Sequence, residues 1–401
     1  MSRSSRWTSI LFALWMILLT AGAAIPLAAQ ITTLHTFDGT DGSNVQAALV
    51  LTTSGDFYGV TGNGGASGLG TVFNMTPTGV VTTVHSFDGT DGSAPLGALI
   101  QATDGYLYGV TYQGGANGYG TVFRVSLTGV LITLHSFTGS DGANPYGGLV
   151  QGTDGNFYGT TVFGGSDEYG VIFKITSGGA FAVMHNFTGS STDGAYPYPA
   201  LIQANDGNFY GTTFSGGGAF EGTLFKMTPA GAVTLVHAFC LAGVPCPDGG
   251  NVQAGVIQAS DGNLYGTVVR GGDPDCALGG YEGCGTIFEV SLSGTFTTLR
   301  VFHTLDGGDP VSSLVETEAG VLYGVTPYGG TSSECTSGCG TVFKILPGGG
   351  SFTSVYSFCV VSGCPDGSSP VASLVEGAKG QLYGSTALGG AEGDGTIYFL
   401  P

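Results

Sequence analysis

Across 401 residues the chain carries 28 Asp and Glu against nine Lys and Arg, a formal net charge of −19. So acidic a balance repels phosphate backbones and argues against nucleic acid as a partner. The 75 glycines would point to low complexity if they were unperiodic, but nearly every one recurs at a fixed place in a repeat, which makes them turn residues.

Residues 1–29 place Arg3 and Arg6 ahead of an apolar run from Ile10 into AGAAIPLAA. This is the pattern of an export signal. Cleavage is expected after Ala23 or Ala29; the alternative is an uncleaved anchor of membrane-spanning length, which would be the chain's attachment to a membrane.

From Ile31 onward no linker interrupts a repeated phrase. Its anchor, an apolar residue followed by Tyr-Gly, falls at Tyr58, Tyr108, Tyr158, Tyr210, Tyr265, Tyr323 and Tyr383. Seven copies spaced 50 to 60 residues apart, each with four short apolar runs between Gly-rich turns, predict an all-β, seven-bladed β-propeller of four-stranded antiparallel blades, one domain over 30–401. Within a copy, an inner run of the GALIQAT type joins a YLYGVT run through Asp104-Gly105 or its equivalent, a two-residue hairpin signal. TVFRVS and LITLHSF runs follow. The Gly after each Tyr is expected to let the neighbouring sheet approach beside that ring.

The two ends complement one another. ITTLHTF, at residues 31–37, is an outer strand without its blade, and GTIYFLP at the end is a third strand without its outer partner. Pairing Ile31–Phe37 with Thr396–Leu400 closes the ring and removes an exposed sheet edge.

In such a blade the loops after the second strand and after the outer strand emerge on one side of the disc, and the short uniform turns occupy the other. The first side varies in length, as binding loops do. It holds all eight cysteines, which pair by proximity as Cys240/Cys246, Cys276/Cys284, Cys335/Cys339 and Cys359/Cys364; in an exported chain an even count reads as disulfides. Zinc is the alternative, against which the intervening spacings of five, seven, three and four residues and the lack of nearby His speak. More than half of the acids lie on this side with a single basic residue, Arg270, a field that attracts cations.

Candidate residues follow from the repeat. An Asp-Gly pair occurs in every outer-strand exit loop, led by Asp41, Asp91, Asp141, Asp193, Asp248, Asp306 and Asp366. These carboxylates are expected to fix turns through backbone amides, with calcium as the alternative use. His35, His85, His135, His185 and His237 recur in the outer strand, then give way to Arg300 and Tyr356, which reads as a structural tie to an adjacent loop. Leu51, Gln101, Gln151, Gln203, Gln258, Glu316 and Glu376 share one inner-strand position. They predict a hydrogen-bonded belt between blades, or else carboxylates near the axis. The residue before Gly-Gly varies freely and includes Phe163, Arg270 and Tyr328. Tyr112, Tyr146, Tyr169, Tyr196, Tyr198 and Phe214 gather on the same side, where aromatic planes beside carboxylates suit sugars or peptides.

The run of apolar-Tyr-Gly-Thr-Thr, Gly-Gly, Gly-Thr-Val-Phe and His-Ser-Phe resembles the GloVer-type tandem repeat of exported bacterial proteins. The resemblance implies an exported propeller, periplasmic, extracellular or cell-surface, and no catalytic residues. With no Gly-x-Ser-x-Gly, His-Glu-x-x-His or Gly-Lys-Ser/Thr motif, the expected function is a non-enzymatic binding or scaffold module for a glycan, a peptide or a cell-envelope component. The alternative is a polysaccharide-acting enzyme using Asp167, Glu168, Glu316 or Glu376.

Overall fold

Short runs rich in Val, Ile, Phe and Thr become strands here because branched and aromatic side chains fill both faces of a pleated sheet. The computed structural model describes residues 30–401 apart from 244, 245, 277 and 279–281; the predicted leader at 1–29 lies outside the described residues. Among these, seven four-stranded antiparallel sheets form a seven-bladed β-propeller. In the second blade the strands run, from axis to rim, Ile100–Gln101, Leu107–Thr111, Thr121–Val125 and Leu131–Ser136. The second and third strands are almost wholly buried in every blade, whereas the outer strand is half-buried.

The inner strand is shorter than its sequence suggests, pairing over only two residues per blade. Backbones crowd before it. A Cβ on Gly147 would come within 2.4 Å of the backbone at Pro199 and Ala200 in the next blade, and one on Gly97 within 2.9 Å of the backbone at Tyr146 and Gly147. Convergence on the axis thus pulls the chain off the ladder and admits only small residues there.

The Gly that follows each Tyr is explained differently from the expectation. A Cβ on Gly109 would meet Phe123 and Leu99 at 2.7 Å, both in its own blade, because Gly109 sits opposite Phe123 in the register. The Gly makes room for the third strand's ring within the blade rather than for the neighbouring sheet. The Tyr rings contribute to the contact between blades: Tyr108 stacks on Phe157 with centroids 3.9 Å apart, and Tyr158 lies tilted against Phe209 at 4.1 Å. Their hydroxyls donate to the Asp of the hairpin turn, Tyr108 to Asp104 at 2.7 Å and Tyr265 to Asp261 at 2.7 Å. Burial, and then the Asp104 contact, push the Tyr108 phenol up to about 12.

Closure follows the predicted route. Thr32–Thr36 pairs antiparallel with Thr396–Leu400, and its register slips between Thr33 and His35, the same irregularity found between Val122 and Phe123 in the second blade. Across the seam Tyr383 lies 4.3 Å from Phe57, and Phe37, Val45, Leu49 and Phe73 pack with Ile397 into one buried cluster.

Candidate functional site

The loop face is built on a carboxylate pin present in all seven blades. His35, His85, His135, His185 and His237 place Nε2 at 2.7, 2.7, 3.0, 3.2 and 2.9 Å from Asp41, Asp91, Asp141, Asp193 and Asp248. Arg300 reaches Asp306 in the same way, and the Tyr356 hydroxyl donates to Asp366 at 2.7 Å. The three side chains are unlike in shape but each presents a donor at the same place, which is why the position tolerates the change. The same Asp also takes a backbone N–H: Asp141 accepts from Thr138 at 2.8 Å, and Asp248 from Cys240 at 3.0 Å. Although burial opposes it, the His185 contact and backbone N–H bonds hold the Asp193 carboxyl below its usual range.

These seven carboxylates are the calcium candidates, and the structure distributes them one to a blade, each engaged with its own strand and turn. Replacing His135 with Tyr is accordingly expected to preserve stability within about 0.5 kcal/mol, whereas His135→Leu, which strips Asp141 of its donor, costs roughly 1–3 kcal/mol. Urea unfolding of the two variants checks this; equal losses would show that ring packing, not donation, matters at this position.

The pinned exit loop then pairs with the loop of the following blade. Ser43 bridges Asn63, Ser93 bridges Gln113, Ala143 bridges Phe163, Gly250 bridges Arg270, Gly308 bridges Tyr328 and Ser368 bridges Leu388; Ala195 pairs with Ser215 likewise. The residue before Gly-Gly is therefore held by its main chain. Because the pairing does not use the side chain, the residue type varies from copy to copy.

At the axis the exit loops of all seven blades line a cavity of about 420 Å³, walled by Gln46, Tyr146, Tyr198, Gln253, Asp309 and Tyr328 among others. Tyr146 reaches across from the third blade and donates to Gln46 of the first at 3.0 Å. Tyr112, Tyr146, Tyr198 and Phe214 form an edge-to-face chain behind this wall, with centroids 6.2, 5.5 and 5.6 Å apart. Among the described residues the wall carries no basic side chain. It does carry Asp309, 1% exposed, with neither carboxylate oxygen hydrogen-bonded, and Ser312, whose hydroxyl is likewise unpartnered. Burial alone pushes the Asp309 carboxyl up to about 7.

The predicted site residues divide three ways. Tyr198 and Tyr328 line the cavity, with Tyr112 and Phe214 continuing the aromatic chain. Phe163, Tyr169 and Tyr196 form a separate cluster on the third blade, centroids 5.5 and 5.6 Å apart. Arg270 is committed to an ion pair with Glu221 of the preceding blade. Asp309 escaped notice as a site residue although its signal was present: it occupies the place of Asn44, Asn144 and Asn251 in the Asp-Gly-x-x series, all with positive φ.

Of the enzymatic candidates, Glu316 accepts from the Ser260 N–H and hydroxyl, each at 2.7 Å, and Glu376 from the Glu318 N–H at 2.9 Å. Gln101, Gln151, Gln203 and Gln258 accept from Thr53, Thr103, Thr153 and Asn205 in the same way, so these residues form the interblade belt. The belt grips the hairpin turns, on the side opposite Asp167 and Glu168. A five-residue strand, about 17 Å long, separates the two sides, more than a pair of glycosidase carboxyls spans. All four predicted disulfides are present: Cys240–Cys246, Cys276–Cys284, Cys335–Cys339 and Cys359–Cys364.

Among solved structures the fold is similar to the extracellular domain of a protein described as a hybrid two-component system from B. thetaiotaomicron, with a TM-score of 0.58 and 9% identity over 92% of this chain; the chain spans 39% of that one. It is also similar to a protein described as a 6-phosphogluconolactonase from Bacteroides uniformis, with a TM-score of 0.53 and 18% identity over 82% of this chain and 88% of the other. At these identities the likeness extends to the fold alone. No curated protein sequence matches the chain. The model of the Gloeobacter/Verrucomicrobia repeat matches twice, over residues 23–219 and 189–398, and with the seven blades those matches cover, the chain belongs to the Gloeobacter/Verrucomicrobia repeat family.

Proposed function

We propose that this protein is an exported, non-enzymatic binding or scaffold propeller whose ligand, a glycan, a peptide or a cell-envelope component, docks on the acidic loop face at the axial cavity. The observation that carries the reading is the cavity itself: seven blades converge on it, tyrosines wall it, and its one buried carboxylate has no partner from the chain. Apolar walls with a few convergent polar groups are the usual form of a ligand site. Export is supported by the leader pattern and by four disulfides, which persist in oxidising compartments.

The test is retention of envelope material and of arrayed glycans by the full chain and by Tyr328→Ala. Wild type is expected to retain a defined component, and the variant to lose roughly tenfold in affinity, the effect of removing an aromatic anchor. Retention no greater than that of a chain with scrambled loops would overturn the reading.

A further inference from the structure

Two of the disulfides meet. Cys335 and Cys339 belong to the loop between Leu322–Thr326 and Thr341–Ile345 of the sixth blade, while Cys359 and Cys364 follow that blade's outer strand Phe352–Ser357. The four sulfurs all lie within 4.8 Å of one another, and no other group of His, Cys, Asp and Glu among the described residues is arranged to hold a metal. We propose that, whenever these two disulfides are reduced, Cys335, Cys339, Cys359 and Cys364 form a tetrathiolate site for zinc or a similarly soft divalent ion. This corner of the sixth and seventh blades then has two interchangeable closures, one covalent and one metallic.

The geometry is close to what the ion demands. Four thiolates at about 2.3 Å from zinc stand roughly 3.8 Å from each other in a tetrahedron. Opening the two bonded pairs and drawing in the others asks each sulfur to move by about 1 Å. The backbone that presents them is also held by hydrogen bonds that do not run through the disulfides. The Cys339 carbonyl accepts from the Ser369 N–H at 2.9 Å, the Cys364 carbonyl from the N–H groups of Gly367 and Gly390 at 3.0 and 2.9 Å, and the Cys335 carbonyl from Gly338 at 3.0 Å. The Cys359 N–H donates to Asp366, the carboxylate already pinned by Tyr356. Cys339 and Cys359 are buried, Cys335 and Cys364 are partly so, and all four join one apolar cluster, which covers the inner side of the site. Sequence spacing did not reveal it because the ligands come as two pairs from two different loops.

The chemistry balances with a thiol reductant. Each disulfide takes two electrons and two protons from a dithiol, which leaves as its own disulfide, and the incoming ion displaces four thiol protons. The remaining cysteines, in the pairs Cys240–Cys246 and Cys276–Cys284, supply an internal control.

The experiment uses the full chain, reduced with a phosphine and titrated anaerobically with Co2+ and then Zn2+. The expected result is one Co2+ per chain with the visible absorption of tetrahedral thiolate coordination, displaced by one equivalent of Zn2+. Loss of that signal is expected in Cys335→Ser/Cys339→Ser and its retention in Cys240→Ser/Cys246→Ser. Because a variant can fail to fold, alkylation of the reduced wild-type chain is mapped by mass spectrometry with and without Zn2+. Slowing of roughly tenfold or more at Cys335, Cys339, Cys359 and Cys364, with the other four unaffected, supports the site. Equal reactivity of all eight thiols in the presence of Zn2+, or cobalt binding that survives loss of Cys335 and Cys339, overturns it.

Discussion

Asp309→Asn is expected to stabilise the protein by about 2–4 kcal/mol at pH 8 and to change little at pH 4. The buried carboxyl titrates at about 7, above its ordinary value of 3.8, and burial is the sole cause. Below pH 4 the group is protonated in both folded and unfolded chains, and the ionisation penalty vanishes. Between pH 4 and 7 the unfolded chain ionises while the folded one does not, so stability falls as pH rises. Above 7 the whole penalty stands. Asn removes it and also adds a donor. In the third blade Asn144 Nδ2 donates to the Tyr112 carbonyl at 2.9 Å, and the corresponding carbonyl for position 309 belongs to Val269. The other titratable groups in the cavity wall are Tyr146, Tyr198 and Tyr328, and burial pushes the Tyr146 phenol up, away from this range. Urea midpoints of both chains at pH 4 and pH 8 measure the effect; a difference that does not vary with pH would sink the assignment. The ligand site proposed at the axis is consistent with such a cost, because an orphaned buried carboxylate persists where something other than stability retains it.

Phe37→Ala is expected to cost about 3–5 kcal/mol, as much as Phe137→Ala in the interior of the ring. The two residues match in burial, in the third-strand ring they meet and in backbone pairing, although Phe137 also meets Phe181 at 5.7 Å where Val81 packs near Phe37. Both are fully buried. Phe37 sits edge-on to Phe73 at 5.4 Å and its N–H donates to Gly395 at 3.1 Å; Phe137 sits edge-on to Phe173 at 5.3 Å and donates to Gly120 at 3.0 Å. The difference is that Phe37 lies near the start of the described chain and crosses the seam to the last blade. If the ring is held there as firmly as elsewhere, the two substitutions shift the urea midpoint alike. A loss under about 1 kcal/mol for Phe37→Ala alone would mean that the terminal strand frays and that the seam is the weak joint.

Blade number, strand order and closure were legible in the sequence because each depends on short-range pattern repeated seven times. Tyr-Gly marks the second strand, Asp-Gly marks the turns, and the two unmatched ends name each other as partners. The histidine series was legible for a similar reason: His, Arg and Tyr at one position share only a donor, so a hydrogen-bonded tie was the reading that covered all three. Cysteine pairing followed from proximity within a loop.

What the sequence by itself determined, then, was everything that a single blade or its copy-to-copy comparison encodes: architecture, pins, belt and local disulfides. Only the tertiary structure decided which unrepeated side chains meet across the axis and between loops. It placed Asp309 in an axial wall with no donor, carried Glu316 and Glu376 away from the loop face, separated Phe163 from Tyr198, and brought two cysteine pairs from separate loops into one cluster. The physical reason is that each of these depends on distances across the axis or between loops, set by how seven twisted sheets close around a ring, and such distances leave no periodic trace in the order of residues along the chain.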